Sequence, residues 1–157
     1  MNLEHHYALQ IEWTGNRGSG TSGYKSYGRD HLVRADGNPT IVGTSDRPFR
    51  GDPERWNPEQ LLLAALSQCH MLSYLHEAAV NGVVVEEYTD DATATMQQTS
   101  NGGGHFTIAT LRPRVTISTG DVALAEHLHR AAGEKCFIAA SVNFAVVHEP
   151  TTVFRPI

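Results

Sequence analysis

Apolar and polar residues alternate in the first part of the chain. From Tyr7 to Trp13 every second residue is large and apolar, which is the period of a half-buried strand. A glycine-rich bend follows at 14–23, and a second extended segment is predicted from Tyr24 to Val33. Asp36 to Pro39 predicts a turn, and Ser45 to Asn57, which contains two prolines and a glycine, predicts an ordered loop.

The strongest helix signal begins at Asn57. Asn is a favourable N-cap, Pro58 suits the first helical position, and Gln60 can return a hydrogen bond to Asn57 as in a capping box. The residues up to Leu75 are apolar on nearly every side, and Gly82 can end the helix. We therefore predict a long helix that is buried on most sides.

The second half of the chain predicts a hairpin followed by helices. Two strand candidates, Val83 to Gln98 and His105 to Thr119, flank the turn sequence Thr99 to Gly104. A helix is expected from Val122 to Ala132 with Asp121 as its N-cap.

A short third helix is expected near Glu134 and a last strand from Asn143 to His148. This order of elements predicts an α+β fold with antiparallel sheet, in a single domain over residues 1–157.

Composition excludes several function classes. The 157 residues are 40% hydrophobic, and 12 basic against 17 acidic residues give a net charge of −5. An acidic chain is a poor nucleic-acid binder, because phosphate recognition needs clustered positive charge. The longest apolar run, Leu61 to Leu66, is far shorter than the roughly 20 residues of a membrane helix, and the amino terminus has no secretory pattern. We expect a cytoplasmic protein with no membrane or nucleic-acid partner.

A glycine pattern and the number of histidines suggest cofactor or metal binding, but neither occurs in the sequence context that such binding needs. Gly18 to Gly23 matches the dinucleotide pattern G-x-G-x-x-G, which works only when a helix follows; here Tyr24 to Arg29 is strand-like. The nine histidines form no recognised ligand spacing. We expect neither a bound cofactor nor a metal.

The two cysteines, Cys69 and Cys136, lie 67 residues apart. Without context, inert buried thiols are the usual interpretation in a reducing compartment. The helical neighbours of Cys69 are mostly apolar, so a reactive thiol there would need a cation from elsewhere. Arg17 in the glycine-rich bend is a candidate, and the Glu59 carboxylate could fix its guanidinium.

The segment from Phe49 to Cys69, with its N-P-E-Q-L-L-x-A-A-L-x-x-C run, resembles the signature helix of the OsmC/Ohr family of thiol-dependent hydroperoxide reductases. Cys136 matches the family's second cysteine in position. Arg17 is similar to the family's active-site arginine, with Arg29 as the alternative. Ohr-type members carry proline after the second cysteine, whereas Phe137 stands here.

The resemblance implies an OsmC-like fold, in which antiparallel sheet packs around a long buried central helix, and an intertwined homodimer with sites at its interface. It implies that Cys69 is the peroxidatic cysteine for organic hydroperoxides and possibly hydrogen peroxide. Cys136 would resolve its sulfenic acid as an intramolecular disulfide, which a dihydrolipoyl group or small dithiol reduces. Arg17 would orient the peroxide and stabilise charge on the leaving oxygen.

Helix geometry constrains the carboxylate. Glu59 and Cys69 are ten residues apart, which is about 15 Å along a helix, so they cannot touch. Either Arg17 spans the gap or the carboxylate beside each thiol comes from another subunit.

The substrate is expected to meet an apolar wall that favours alkyl or lipid hydroperoxides, built from Leu62, Leu66, Phe49 and Trp56. A second hypothesis remains open: a non-catalytic relative that binds a lipid or another hydrophobic small molecule in the interface cavity.

Overall fold

The computed structural model describes residues 3–156, which divide into two compact units, one within 1–61 and one within 62–157. The prediction of one domain over 1–157 stays a prediction. Within the described residues, neither α-helix combines the length and apolar character needed to cross a bilayer.

The first unit contains an antiparallel sheet of three strands, β1 (Gln10–Trp13), β2 (His31–Arg34) and β3 (Ile41–Gly43), in that order. The strand predicted from Tyr7 to Trp13 forms over Gln10–Trp13 only. All four of its residues are exposed, so the predicted half-burial is wrong for the single chain. The second predicted strand is also too long, because Tyr24 to Asp30 forms turns and coil. The Arg29 guanidinium donates to the carbonyls of Tyr27 and Tyr24, which uses acceptors that a strand ladder would need.

Helix α1 (Pro58–Val80) begins as predicted. The amide of Gln60 donates to Asn57 Oδ1 at 2.8 Å, and the Asn57 amide donates to Gln60 Oε1 at 3.2 Å, which is a reciprocal capping box. The helix ends at Val80, and Gly82, whose φ is +74°, reverses the chain just after it. There Val83 N donates to Ala78 O at 2.9 Å, as in a Schellman motif.

The burial of α1 differs from the prediction. One stripe is buried, made of Leu66, His70, Tyr74, Glu77 and Ala78. Large apolar residues elsewhere on the helix, such as Leu72, are exposed in the single chain.

The predicted hairpin of the second unit exists, but both of its strands are broken in the middle. The outer pair is β4 (Val84–Asp90) with β7 (Pro113–Thr119), and the inner pair is β5 (Thr93–Gln98) with β6 (Gly104–Leu111), both antiparallel.

Arg112 is the break between β6 and β7, and it bonds to residues on either side of the break between β4 and β5. Its amide donates to Asp90 Oδ1 at 2.6 Å, and its guanidinium reaches Thr93 Oγ1 at 2.9 Å. These side-chain bonds replace ladder bonds at the corner and turn each strand from one sheet into the other.

Two carboxyl-terminal strands complete these sheets. Strand β8 (Ala145–His148) pairs with β6, and β9 (Thr151–Phe154), which was not predicted, pairs with β7. Both pairings are parallel, so the two sheets are mixed rather than purely antiparallel.

Helix α2 (Val122–Lys135) begins at the predicted cap, where Asp121 Oδ1 accepts from Leu124 N at 2.8 Å. It continues to Lys135, so the predicted third helix near Glu134 is wrong. A 3₁₀ turn at Ala139–Ser141 follows instead. The core joins α1, α2, β7 and Val83 through one cluster of buried residues: Tyr74, Ala78, Val83, Val115, Ile117, Ala125, Leu128 and Ala132. The α+β class is confirmed.

Candidate active site

Cys69 lies on α1 and is half-buried, with a free thiol. It faces a cavity of about 740 Å³ whose wall combines apolar and polar side chains. The lining residues are Ala65, Gln68, Cys69, Leu72, Ser73, His76, Glu77, Lys135, Phe137 and Ile138. Leu66, predicted for this wall, instead lies in the buried stripe with 1% of its surface exposed.

Cys136 follows the last residue of α2 and is 1% exposed. Its Sγ accepts a hydrogen bond from the Ala139 amide at 3.4 Å. Burial, followed by hydrogen bonding to the Cys69 thiol, raises the pKa of Cys136 to about 11. Cys136 therefore stays protonated near neutral pH and serves as a hydrogen-bond donor to Cys69. The fold brings together two free thiols that are far apart in the chain.

An ion pair between a buried carboxylate and a largely exposed ammonium group forms one part of the cavity wall. Lys135 Nζ lies 2.5 Å from Glu77 Oε1, and the Glu77 side chain is only 7% exposed. Sequence analysis missed both residues. The signal was present, because Glu77 falls on the i, i+4, i+8, i+11 spacing of the buried stripe that begins at Leu66.

Arg17 and Arg29, the two candidates for the active-site arginine, both lie in the first unit. The Arg29 guanidinium donates to two backbone carbonyls and stacks on the rings of Tyr24 and Tyr27. Arg17, by contrast, has no hydrogen bond or ion pair among residues 3–156. Its guanidinium lies over Gly28, where a Cβ added to that glycine would come within 3.5 Å of Nη2. Arg29 therefore has a structural role, and Arg17 is available for chemistry.

The bend that carries Arg17 is ordered. Asn16 Oδ1 accepts from the amides of Gly18 and Gly20 at 2.9 and 3.0 Å. A Cβ at Gly15 would come within 2.0 Å of Gly28 O, so only glycine fits at this close approach. No helix follows Gly23, which removes the structural condition for dinucleotide binding.

Glu59 lies in the first turn of α1. Its Oε2 is buried and has no hydrogen-bond partner among the described residues. A carboxylate in that state is costly unless a cation reaches it, so Glu59 is suited to receive a guanidinium. Its role and that of Arg17 stay predictions.

Three histidines, of which His70 and His129 are buried and His148 is half-buried, form a cluster in the second unit. His70 Nε2 is 3.0 Å from His129 Nδ1, and the ring of His148 stacks on His70 at 4.2 Å. Burial is the largest cause that lowers the pKa of His70 to about 3 and of His129 to about 4. The spacing of these histidines in the sequence did not indicate their contact. Within residues 3–156, no three His, Cys, Asp or Glu side chains are arranged to hold a metal ion.

Comparisons with known proteins show what this chain is similar to. Residues 51–151 match the family model of OsmC-like proteins. The uncharacterized protein YmaD of Bacillus subtilis is 26% identical over 146 residues, covering 89% of this chain and 88% of YmaD.

Two solved structures extend the comparison. An OsmC-like protein of unknown function from Vibrio cholerae superposes with a TM-score of 0.84 at 31% identity, over 94% of this chain and 100% of that one. An organic hydroperoxide resistance protein from Elizabethkingia anophelis shares the fold, with a TM-score of 0.69 at 16% identity, over 99% and 100% of the two chains.

Proposed function

The chain belongs to the OsmC-like protein family, and from this premise we propose that it is a thiol-dependent peroxidase that reduces organic hydroperoxides to alcohols. The observation that supports the proposal is the pairing of Cys69 with Cys136. A half-buried thiol facing a largely apolar cavity has a second, protonated thiol as its hydrogen-bond partner. A protein that only binds ligands has no need of this pair.

The proposed reaction has three steps. The Cys69 thiolate attacks the distal peroxide oxygen, the O–O bond breaks, and the leaving alkoxide takes a proton to become an alcohol. Cys69 is now a sulfenic acid. Cys136 attacks its sulfur, an S–S bond replaces the S–O bond, and the hydroxide leaves as water with the Cys136 proton. A dihydrolipoyl group or small dithiol then reduces the disulfide by thiol exchange.

Arg17 is the proposed electrophilic group. Its guanidinium would orient the peroxide and stabilise charge on the leaving oxygen, and the unpartnered Glu59 carboxylate would hold it. OsmC/Ohr proteins are usually homodimers. We propose that this chain also forms one, with residues of both copies at each site, and that it acts in the cytoplasm, where thiols stay reduced.

The cavity also favours a second candidate function. Its volume of about 740 Å³ lies within the range of drug-sized ligand sites. A non-catalytic protein that binds a lipid or another hydrophobic small molecule there would use the same apolar wall, and it would leave both thiols unchanged.

Thiol titration distinguishes the two functions. One equivalent of cumene hydroperoxide should remove both free thiols of the wild-type protein and leave the Cys136 thiol of Cys69→Ser intact. In Cys136→Ser, dimedone should trap a sulfenic acid at Cys69. Retention of both thiols in the wild-type protein, together with saturable binding of a fatty acid, would replace the peroxidase with the binding function.

A further inference from the structure

We infer that the ion pair between Glu77 and Lys135 positions Cys136 against Cys69 and thereby sets how favourably and how fast the two thiols form a disulfide. The importance of this pair for turnover rests on the proposed function. Its effect on disulfide formation does not, because the two thiols can be oxidised without a peroxide.

Glu77 occupies a position that normally carries an apolar residue. It lies on the buried stripe of α1, between Tyr74 and Ala78, both of which are core residues. A carboxylate taken out of water is destabilising unless a cation and hydrogen bonds compensate it. Lys135 supplies that cation at 2.5 Å. The Lys135 side chain is itself 62% exposed, and ion pairs that reach solvent contribute little net stability, so the pair calls for an explanation other than folding energy.

The position of Lys135 provides that explanation. Lys135 is the last residue of α2, and Cys136 is the next residue along the chain. The core residues of α2 end at Ala132, and Phe137 is 79% exposed. Among residues 3–156, the Glu77–Lys135 contact is the ion pair that joins α1 to α2. It therefore holds the last residue of α2 against α1, directly before the buried cysteine that must reach Cys69.

Disulfide formation is sensitive to such anchoring. The Cys136 sulfur must approach the Cys69 sulfur from the side opposite the S–O bond that breaks. An error of about 1 Å in the position of a reacting group can cost 10²-fold in rate. Without the pair, the end of α2 samples more positions, and fewer of them place the sulfurs within bonding distance.

Equilibration with glutathione measures the effect without any peroxide. The ratio of disulfide to dithiol in defined mixtures of oxidised and reduced glutathione gives the effective concentration of the Cys69–Cys136 pair. Glu77→Gln should lower this value at least about tenfold, whereas Lys135→Arg, which keeps the ion pair, should stay near the wild-type value. Glu134→Gln is the matched control, because it breaks an exposed pair with Arg130 within α2.

A second variant keeps the inference testable if Glu77→Gln does not fold. The double variant Glu77→Met/Lys135→Met removes both charges, a replacement that folded proteins commonly tolerate. The double variant should also show an effective concentration at least about tenfold below that of the wild-type protein. A wild-type value in whichever of the two variants folds would overturn the inference.

Stopped-flow oxidation by cumene hydroperoxide adds the link to turnover. In Glu77→Gln, closure of the disulfide should slow at least about tenfold, and trapping of the Cys69 sulfenic acid by dimedone should rise. A wild-type protein that forms the disulfide with glutathione but not with peroxide would refute the proposed function and leave this inference standing. Equal closure rates in all variants would refute the inference alone.

Discussion

The thiol groups of Cys69 and Cys136 lie in different surroundings. Cys69 faces the cavity, whereas Cys136 is 1% exposed and its pKa is raised to about 11 by burial and by the Cys69 thiol. A buried protonated thiol is a poor first nucleophile, because the thiolate is the reactive form. The order of the proposed reaction, with Cys69 attacking and Cys136 resolving, therefore follows from the local environments of the two thiols.

The two arginines should separate activity from stability. Arg17 has no partner among the described residues, whereas Arg29 donates to two carbonyls and stacks on two tyrosine rings. Arg17→Gln should lower kcat/KM for cumene hydroperoxide roughly 10²-fold, as expected for loss of a transition-state donor, and leave the urea midpoint unchanged. Arg29→Gln should cost about 1–2 kcal/mol of unfolding free energy. The reverse pattern would assign the catalytic role to Arg29.

At this scale the sequence identifies single residues better than their pairings. The Asn57 cap could be predicted, because it depends on residue type and local spacing. The two cysteines were singled out by the family resemblance instead. Lys135 and Glu77 could not be paired, since 58 residues separate them and nothing in either local segment refers to the other. The same limit hides the contact between His70 and His129.

At the scale of elements, the start of α1 depends on reciprocal hydrogen bonds between Asn57 and Gln60. Asn57→Ala removes one of them and should lower the unfolding free energy by about 1 kcal/mol, measured by urea denaturation at pH 7.5. Asn57→Asp keeps the acceptor and should remain within a few tenths of a kcal/mol of the wild-type protein. If both variants lost the same free energy, the cap would not be the cause.

The errors in element prediction have identifiable physical causes. The hairpin was predicted from its turn sequence, but its central break depends on Arg112 bonding Asp90 from the opposite strand, which strand periodicity does not encode. The buried stripe of α1 was hidden because apolar residues also occupy its exposed side. The sequence does not predict strand β9, because β9 pairs in parallel with β7, and that contact joins segments far apart in the chain.

At the scale of the molecule, the first unit exposes its alternating apolar residues. Leu9, Ile11 and Trp13 are 65%, 58% and 43% exposed, and adjacent exposed apolar residues are typical of an interface. With a homodimer proposed, sedimentation equilibrium at micromolar concentration should give twice the 17.2 kDa chain mass. Ile11→Glu should shift the protein toward monomer, whereas Gln10→Glu on the same strand should not. A stable wild-type monomer would contradict the proposed dimer.

The histidine cluster makes the whole fold sensitive to acid. His70, His129 and His148 come from α1, α2 and β8 and are in hydrogen-bond or stacking contact. Burial lowers the pKa of all three, while Asp90 partly opposes this for His148. Because an unfolded histidine titrates near 6.5, the unfolded state binds more protons than the folded state below that pH.

Stability should therefore be full above about pH 6.5 and should fall as the pH drops toward the folded pKa values of about 3 and 4, by up to about 1.4 kcal/mol per pH unit for each buried histidine. His129→Gln removes one such group, so the slope of unfolding free energy against pH between 6 and 5 should decrease by about one proton. His127→Gln, an exposed change on the same helix, should keep the wild-type slope. Urea denaturation at fixed protein concentration measures both slopes, and equal slopes in the two variants would mean that His129 already binds a proton in the folded protein at these pH values.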